Sequence, residues 1–201
     1  MNQFYMIDSS GDGDSFPLFF DAEWVPDLPE IDWVSKTPSL KDFYSSYNIR
    51  AYLDRLSVDV IFEQFLASSD FVSLCDDLGC GIFTIPVTVE LNGQERPEKS
   101  YSFFLATKRL SILDRKFSRY ELMHSGLLRS DSEIKDDVPV YDRIDFFSIR
   151  PGVDQHLFFC EETKQMACTD VFRSEFEKRK MTGLEFTLID EEYKYAPWDD
   201  F

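Results

Sequence analysis

The chain has two histidines, His124 and His156, as candidate acid–base groups near neutral pH. Neither of them lies in a catalytic motif. The sequence also lacks a Gly-x-Ser-x-Gly nucleophile motif, a phosphate-binding glycine-rich loop, a dinucleotide fingerprint and a His-Glu-x-x-His helix. We therefore interpret both histidines as structural or surface residues, and we expect no enzymatic activity and no catalytic residues.

Metal-binding patterns are equally weak. The four cysteines lack the paired two-residue spacing of a zinc site, and we expect reduced, mostly buried thiols at Cys75, Cys80, Cys160 and Cys168. Residues 8–14 (DSSGDGD) begin like a calcium-binding loop, but Phe19 occupies the position that requires a bidentate acid. We interpret this segment as a solvated strand connection and expect no metal and no cofactor.

Negative charge dominates the composition. Lys and Arg total 21 and Asp and Glu total 38, so the formal net charge is −17, and the sequence pI is about 4.4. Such a charge repels nucleic-acid phosphates and anionic membrane surfaces but attracts basic proteins. We therefore expect a basic protein partner, with no direct binding to nucleic acid or membranes. The alternative is that the charge only confers solubility.

Acids interleaved with aromatic residues form three candidate partner-binding clusters, because Tyr and Trp anchor interfaces and carboxylates pair with Arg or Lys. The first surrounds Trp24 and Trp33, the second lies in residues 131–137, and the third is the C-terminal tail. For the tail, the alternative is that its aromatic residues fold back over the core. The predicted partner-binding residues are Glu23, Asp27, Glu30, Asp32, Asp131, Asp136, Asp137, Tyr193, Tyr195, Trp198, Asp199 and Asp200.

A carboxylate-dependent enzyme remains open as a separate alternative, because a glycosidase-like pair cannot be recognised among so many acids. A carboxylate with a strongly raised pKa in a deep cleft would favour it.

The length of 201 residues suits a single α+β domain. The predicted architecture is a mixed or antiparallel sheet with a few short helices packed against it. We divide the chain into an acidic, partly irregular N-terminal region (1–57), a core (58–190) and an acidic aromatic tail (191–201). No internal repeat is evident.

Hydrophobic spacing predicts the elements. Residues 58–66 have helical spacing, and Ser69 caps a second helix that ends before Gly79. Residues 83–91 alternate as a strand, Asn92-Gly93 favours a hairpin turn, and the return strand spans 101–106 with both faces buried. Pro86 lacks an N–H group, which predicts an edge strand or a bulge.

The flanking regions are predicted in the same way. Short strands are expected at 4–7 and 17–20, an irregular connection at 24–38, further strands at 110–113, 144–149 and 155–160, and a loop at 130–137. Thr169 caps a helix over 170–181, Gly183 follows it, and a last strand spans 184–188.

Two stretches carry a family resemblance. Residues 101–105 (YSFFL) precede an Asp-x-x-x-Ser unit in 113–118 (LDRKFS), and 157–159 (LFF) precede 168–172 (CTDVF), a helix and 183–186 (GLEF). With these motifs the chain resembles immunity proteins of bacterial polymorphic toxin systems, in particular immunity families eleven and forty-three. The resemblance implies a non-catalytic cytoplasmic protein that neutralises its cognate toxin by stoichiometric binding. A basic nuclease-type effector is one candidate for that toxin.

No basic, apolar leader and no apolar run of about 18 residues is present in the sequence, so we expect a cytoplasmic protein. An acidic adaptor that binds another basic protein is the competing interpretation.

Overall fold

The computed structural model describes residues 3–11, 21–30, 38–123 and 139–198. This described part is α+β: two helices lie against mixed and antiparallel sheets, and about 39% of the residues are in strands. The fold class predicted from the sequence is confirmed. The predictions for residues 17–20 and 130–137 lie outside the described residues.

A five-stranded sheet joins the N-terminus of the chain to its C-terminal half. The sheet has the order β13-β1-β12-β11-β8, with β1 at Phe4–Ser9, β8 at Arg109–Leu110, β11 at Leu157–Cys160, β12 at Gln165–Thr169 and β13 at Leu184–Leu188. Strand β1 lies between β12 and β13 and is antiparallel to both. Because Phe4 to Ile7 are buried, the hydrophobic core extends beyond residues 58–190.

The second sheet has six strands. The order is β2-β3-β6-β7-β5-β4, with β2 at Ala22–Val25, β3 at Tyr47–Ala51, β4 at Val60–Ile61, β5 at Leu66–Ser68, β6 at Ile82–Glu90 and β7 at Tyr101–Ala106. Strand β3 pairs in parallel with β6, and the other pairs are antiparallel. Both faces of β7 are largely buried, as the sequence predicted.

A two-stranded sheet, β9 (Arg119–Leu122) and β10 (Tyr141–Phe146), receives the tail of the chain. The N–H of Ile144 donates to the carbonyl of Tyr195 at 2.8 Å, and the N–H of Tyr195 donates back at 3.0 Å. The backbone of the tail is therefore fixed at Tyr195.

Two helices of similar construction pack against each other. Helix α1 (Ser69–Asp77) follows β5, and helix α2 (Asp170–Lys178) follows β12. The hydroxyls of Ser68 and Thr169 cap them, each accepting from the N–H of a phenylalanine three residues later. The ring centroids of these two residues, Phe71 and Phe172, lie 6.0 Å apart. The cap of α1 is thus Ser68 and not Ser69, and one strand–cap–helix unit occurs twice, although the sequence suggested no repeat.

The helix predicted over residues 58–66 is wrong. The segment forms β4, a 3₁₀ turn at Phe62–Gln64 and then β5, and Phe65 has a left-handed φ of 53°. Backbone hydrogen bonds to distant segments favour the extended structure here, because the N–H of Asp59 donates to the carbonyl of Thr182 at 3.0 Å. In a short segment buried from several sides, helical spacing of apolar residues does not distinguish helix from strand.

Strand β6 corrects two further predictions. It lies inside the sheet and not at an edge, but pairing with β3 begins at Val87, so the missing N–H of Pro86 is not needed on that side. Asn92–Gln94 form a 3₁₀ turn, and the connection to β7 runs to Ser100, longer than a two-residue hairpin. Trp24, predicted to begin an irregular connection, lies in β2 because it pairs with Ile49 of β3.

Candidate partner-binding surface

Three carboxylates from different parts of the chain meet where β1 ends. Asp8 lies directly opposite Glu185 in the β1–β13 pair. Glu63, in the 3₁₀ turn after β4, accepts a hydrogen bond from the hydroxyl of Ser9 at 2.6 Å, and Glu185 accepts one from the hydroxyl of Ser10 at 3.1 Å. We call Asp8, Glu63 and Glu185 the acidic strip.

The surroundings of Asp8 do not compensate for the negative charge of its carboxylate. Partial burial raises the pKa of Asp8 above its usual value, and the carboxylates of Glu185 and Glu63 raise it further. The side-chain amide of Gln165, which donates to Asp8 at 3.3 Å, lowers this pKa only in part. Like charges placed directly opposite on paired strands are destabilising, so the strip opposes folding when the protein is alone.

Other carboxylates of the described residues have different surroundings. Glu161 contacts the guanidinium of Arg109 at 2.6 Å and the ammonium of Lys164 at 3.0 Å, and its pKa is lowered, although burial works against these contacts. The buried carboxylate of Glu162 accepts hydrogen bonds from the N–H groups of Ile112 and Leu113, both at 3.1 Å. These two carboxylates are compensated by cations or backbone N–H groups, whereas Asp8 of the acidic strip lies opposite another carboxylate.

A cavity of about 310 Å³ opens on one side of the acidic strip. Trp24 and Phe65 are its aromatic residues, and its lining is Asp21, Ala22, Trp24, Leu28, Glu63, Gln64 and Phe65. The indole ring of Trp24 is held by edge-on contacts to Tyr47 at 5.8 Å and Phe103 at 6.2 Å. We call this the tryptophan cavity.

A second cavity of about 290 Å³ lies on the other side of the strip, between the sheet and the tail. Asp8 lines it, together with Met6, Gln165, Thr187, Tyr193, Lys194, Tyr195, Ala196 and Pro197. The strip therefore connects two partly aromatic hollows, because Glu63 lines the first and Asp8 the second.

The predicted tail residues divide between two roles. Tyr193 is half-buried, packs against Phe147 at 6.1 Å and has a pKa raised by burial. Tyr195 is half-buried as well, whereas Trp198 is 54% exposed. The two tyrosines therefore fold back onto the core, and Trp198 presents its ring to solvent.

The predicted residues near Trp24 lie on the surface. Glu23 forms an ion pair with Arg50 at 3.2 Å, and Arg50 also approaches Glu90 at 3.5 Å. Asp27 and Glu30 are exposed. The other predicted residues, Asp32, Asp131, Asp136, Asp137, Asp199 and Asp200, lie outside the described residues.

Sequence reasoning did not select Asp8, Asp21, Glu63 or Glu185 for this surface. The first 35 residues are rich in acids without any Lys or Arg, which was a signal for Asp8 and Asp21. No local pattern marks Glu63 or Glu185, since strand pairing brings them to β1 from distant parts of the chain.

Metal-binding groups and cysteine thiols are the other features of the described residues that bear on chemistry. They contain no group of three or more His, Cys, Asp or Glu side chains arranged to hold a metal ion. All four cysteines are free and buried, as predicted. Burial raises the pKa of the Cys160 thiol to about 12, so this thiol is protonated at neutral pH.

Among the described helices, none is long and apolar enough to cross a membrane. No known protein-family model matches the chain, and no curated protein matches it either.

Proposed function

We propose that this chain is a cytoplasmic, non-catalytic immunity protein that binds a basic bacterial toxin and blocks it by stoichiometric occlusion. The observation that carries the proposal is the acidic strip: three carboxylates, Asp8, Glu63 and Glu185, gathered between two partly aromatic hollows. The resemblance of the motifs in residues 101–118 and 157–186 to immunity proteins supports the toxin as the partner.

The charge distribution suits rapid capture. A net charge of −17 steers a basic protein during diffusional encounter and raises its association rate roughly 10- to 10³-fold at low salt. Aromatic side chains at the surface, such as Trp198, supply apolar contacts that slow dissociation. We expect a one-to-one complex that buries about 1,600 Å² or more.

Co-expression tests the function. The C-terminal region of the protein encoded by the neighbouring gene is expressed in bacteria with and without this chain. Rescue from growth arrest supports the immunity function, and continued arrest despite soluble expression of both proteins refutes it. A basic partner other than a toxin, encoded elsewhere, would instead identify the chain as an acidic adaptor.

Charge neutralisation tests the site. The strip variant carries Asp8→Asn, Glu63→Gln and Glu185→Gln, and we expect its association rate with the partner to fall about tenfold at low salt. The control variant neutralises three carboxylates that are ion-paired in other elements, Glu90, Glu121 and Glu177, all to Gln. Because both variants change the net charge equally, equal effects would show that only total charge matters.

A carboxylate-dependent enzyme is the second candidate, because the pKa of Asp8 is raised and Asp8 lies opposite Glu185. It predicts turnover of a glycoside that disappears in both Asp8→Asn and Glu185→Gln while the unfolding midpoint is retained. Turnover that persists in either variant excludes this pair as the catalytic groups.

A further inference from the structure

We propose that the tryptophan cavity binds one arginine side chain of the basic partner. This inference rests on the proposed function, because the arginine belongs to the protein that the acidic strip attracts. It adds to that function a defined anchoring site, formed by Trp24, Phe65, Asp21 and Glu63.

The lining of the cavity fits a guanidinium group. Trp24 and Phe65 line the cavity, and aromatic rings of this kind attract a planar guanidinium by stacking and cation–π interaction. Asp21 and Glu63 provide carboxylate oxygens, which accept its N–H groups in charge-assisted hydrogen bonds. The apolar side chain of Leu28 suits the methylene stem of the same arginine.

The cavity is large enough for its proposed occupant. A volume of about 310 Å³ accommodates one inserted side chain.

The aromatic residues are fixed before any partner arrives. Trp24 is held in β2 by pairing with Ile49, and its ring is braced by Tyr47 and Phe103. An immobile aromatic wall loses little conformational entropy when a side chain inserts, which favours a strong anchor site.

Phe65 is fixed through its backbone. Its φ of 53° is left-handed, a conformation that is unfavourable for a phenylalanine. Its N–H donates to the carbonyl of Phe62 at 3.1 Å, and its own carbonyl accepts from the N–H of Phe104 at 2.8 Å. Left-handed non-glycine residues are concentrated at ligand-binding sites, where the surrounding structure holds them in place.

Arginine is favoured over lysine by geometry. A lysine ammonium is a compact, strongly hydrated charge, whereas a guanidinium can stack on a ring and bind carboxylates at its edge in one pose. Glu63 lines the cavity, and its carboxylate is held in place by the hydroxyl of Ser9, which donates to one of its oxygens at 2.6 Å.

A fluorescence titration tests the cavity directly. Replacing Trp33 and Trp198 with Phe leaves Trp24 as the single tryptophan of the full chain. Its emission is followed with three blocked tripeptides, Gly-Arg-Gly, Gly-Lys-Gly and Gly-citrulline-Gly. We expect the arginine peptide to bind about fivefold more tightly than the lysine peptide, and citrulline, which is isosteric but neutral, to give no saturable change. Equal responses to arginine and citrulline would overturn the proposal.

Two variants of that single-tryptophan chain locate the binding. Glu63→Gln removes a cavity carboxylate, and we expect it to weaken arginine-peptide binding about fivefold. Glu90→Gln is the control, because Glu90 of β6 is paired with Arg50 and does not line the cavity. A Glu63→Gln variant that binds the peptide like the parent chain would also overturn the proposal.

Partner binding separates this inference from the function on which it rests. If the strip variant loses partner capture but Trp24→Leu, confirmed as folded by circular dichroism, does not, the arginine site is refuted and the function stands. If no basic partner is captured at all, the function fails, and the peptide titration still decides whether the cavity recognises arginine.

Discussion

Replacing Asp59 with Ala should be among the most destabilising single changes in this protein. The Asp59 carboxylate is 2% exposed and lies between the two large sheets. It accepts hydrogen bonds from the hydroxyl of Ser68 at 2.9 Å, the ammonium of Lys99 at 2.7 Å and the N–H of Thr182 at 2.9 Å. One side chain thus connects the cap of α1, the connection before β7 and the segment that leads to β13.

The size of the effect follows from the groups left behind. The substitution leaves the hydroxyl of the fully buried Ser68 and the N–H of Thr182 without their acceptor. Each such loss costs about 1–3 kcal/mol. Lys99 is 30% exposed, so its ammonium can be rehydrated and adds less. Asp59→Ala should therefore lower the free energy of unfolding by about 2–6 kcal/mol, the sum of two such losses, out of a total of about 5–15 kcal/mol.

Urea unfolding followed by circular dichroism measures this loss. Asp54→Ala is the control, because Asp54 is exposed and accepts one hydrogen bond from the Asn92 amide at 2.8 Å; it should cost less than about 0.5 kcal/mol. Lys99→Met should also destabilise the protein, because it leaves the buried Asp59 carboxylate without its cation. A loss below about 1 kcal/mol for Asp59→Ala would refute the view that this carboxylate joins the sheets.

Three further predictions follow from local geometry. Gly183 has a φ of 108°, and a Cβ there would lie 2.3 Å from the carbonyl oxygen of Val60. Gly183→Ala should therefore lower the free energy of unfolding by more than about 2 kcal/mol, measured by thermal unfolding. Gly152→Ala is the control and should lower it by about 1 kcal/mol, because no atom lies within 4 Å of a Cβ at that position. Thr169→Ala removes the cap of α2 and should cost about 1 kcal/mol by the same measurement. Asp8→Asn should stabilise the isolated protein at pH 7 by less than about 1 kcal/mol, since solvent screens surface charges. The pKa of Asp8 is raised on folding, so the folded state holds this proton more tightly than the unfolded state. Wild-type stability should therefore fall as the pH rises from the unfolded to the folded pKa of Asp8, and it should stay level above the folded pKa. The prediction is contradicted if the unfolding midpoints of Asp8→Asn and the wild type change with pH in the same way.

The sequence predicted elements whose signals are local. Helix α2 has its cap at Thr169, acid and base ordered along its dipole, and Gly183 soon after its end. Strand β6 alternates in period two, which no helix imitates over nine residues. In both cases a dozen neighbouring residues carry enough information.

Pairing between distant segments was not predictable in this way. The segment from Val58 to Leu66 has helical spacing, yet Asp59 bonds to Thr182 and β5 pairs with β7. The acidic strip depends on the same kind of contact, because Asp8 and Glu185 meet only when β1 inserts between β12 and β13. Composition indicated a basic partner, but the place where the charge concentrates is a property of the topology.

The location of the strip bears on why the protein is acidic. A charge that served only solubility would be best dispersed and mixed with cations, and this chain does pair Glu161 with Arg109 and Lys164. At the end of β1, Asp8 instead faces Glu185, a like charge that disfavours the isolated fold. A basic partner turns that repulsion into attraction, so neutralising Asp8 should raise stability and lower affinity together. If Asp8→Asn weakens the fold as well as the complex, the carboxylate has a structural role and the argument for binding at this surface fails.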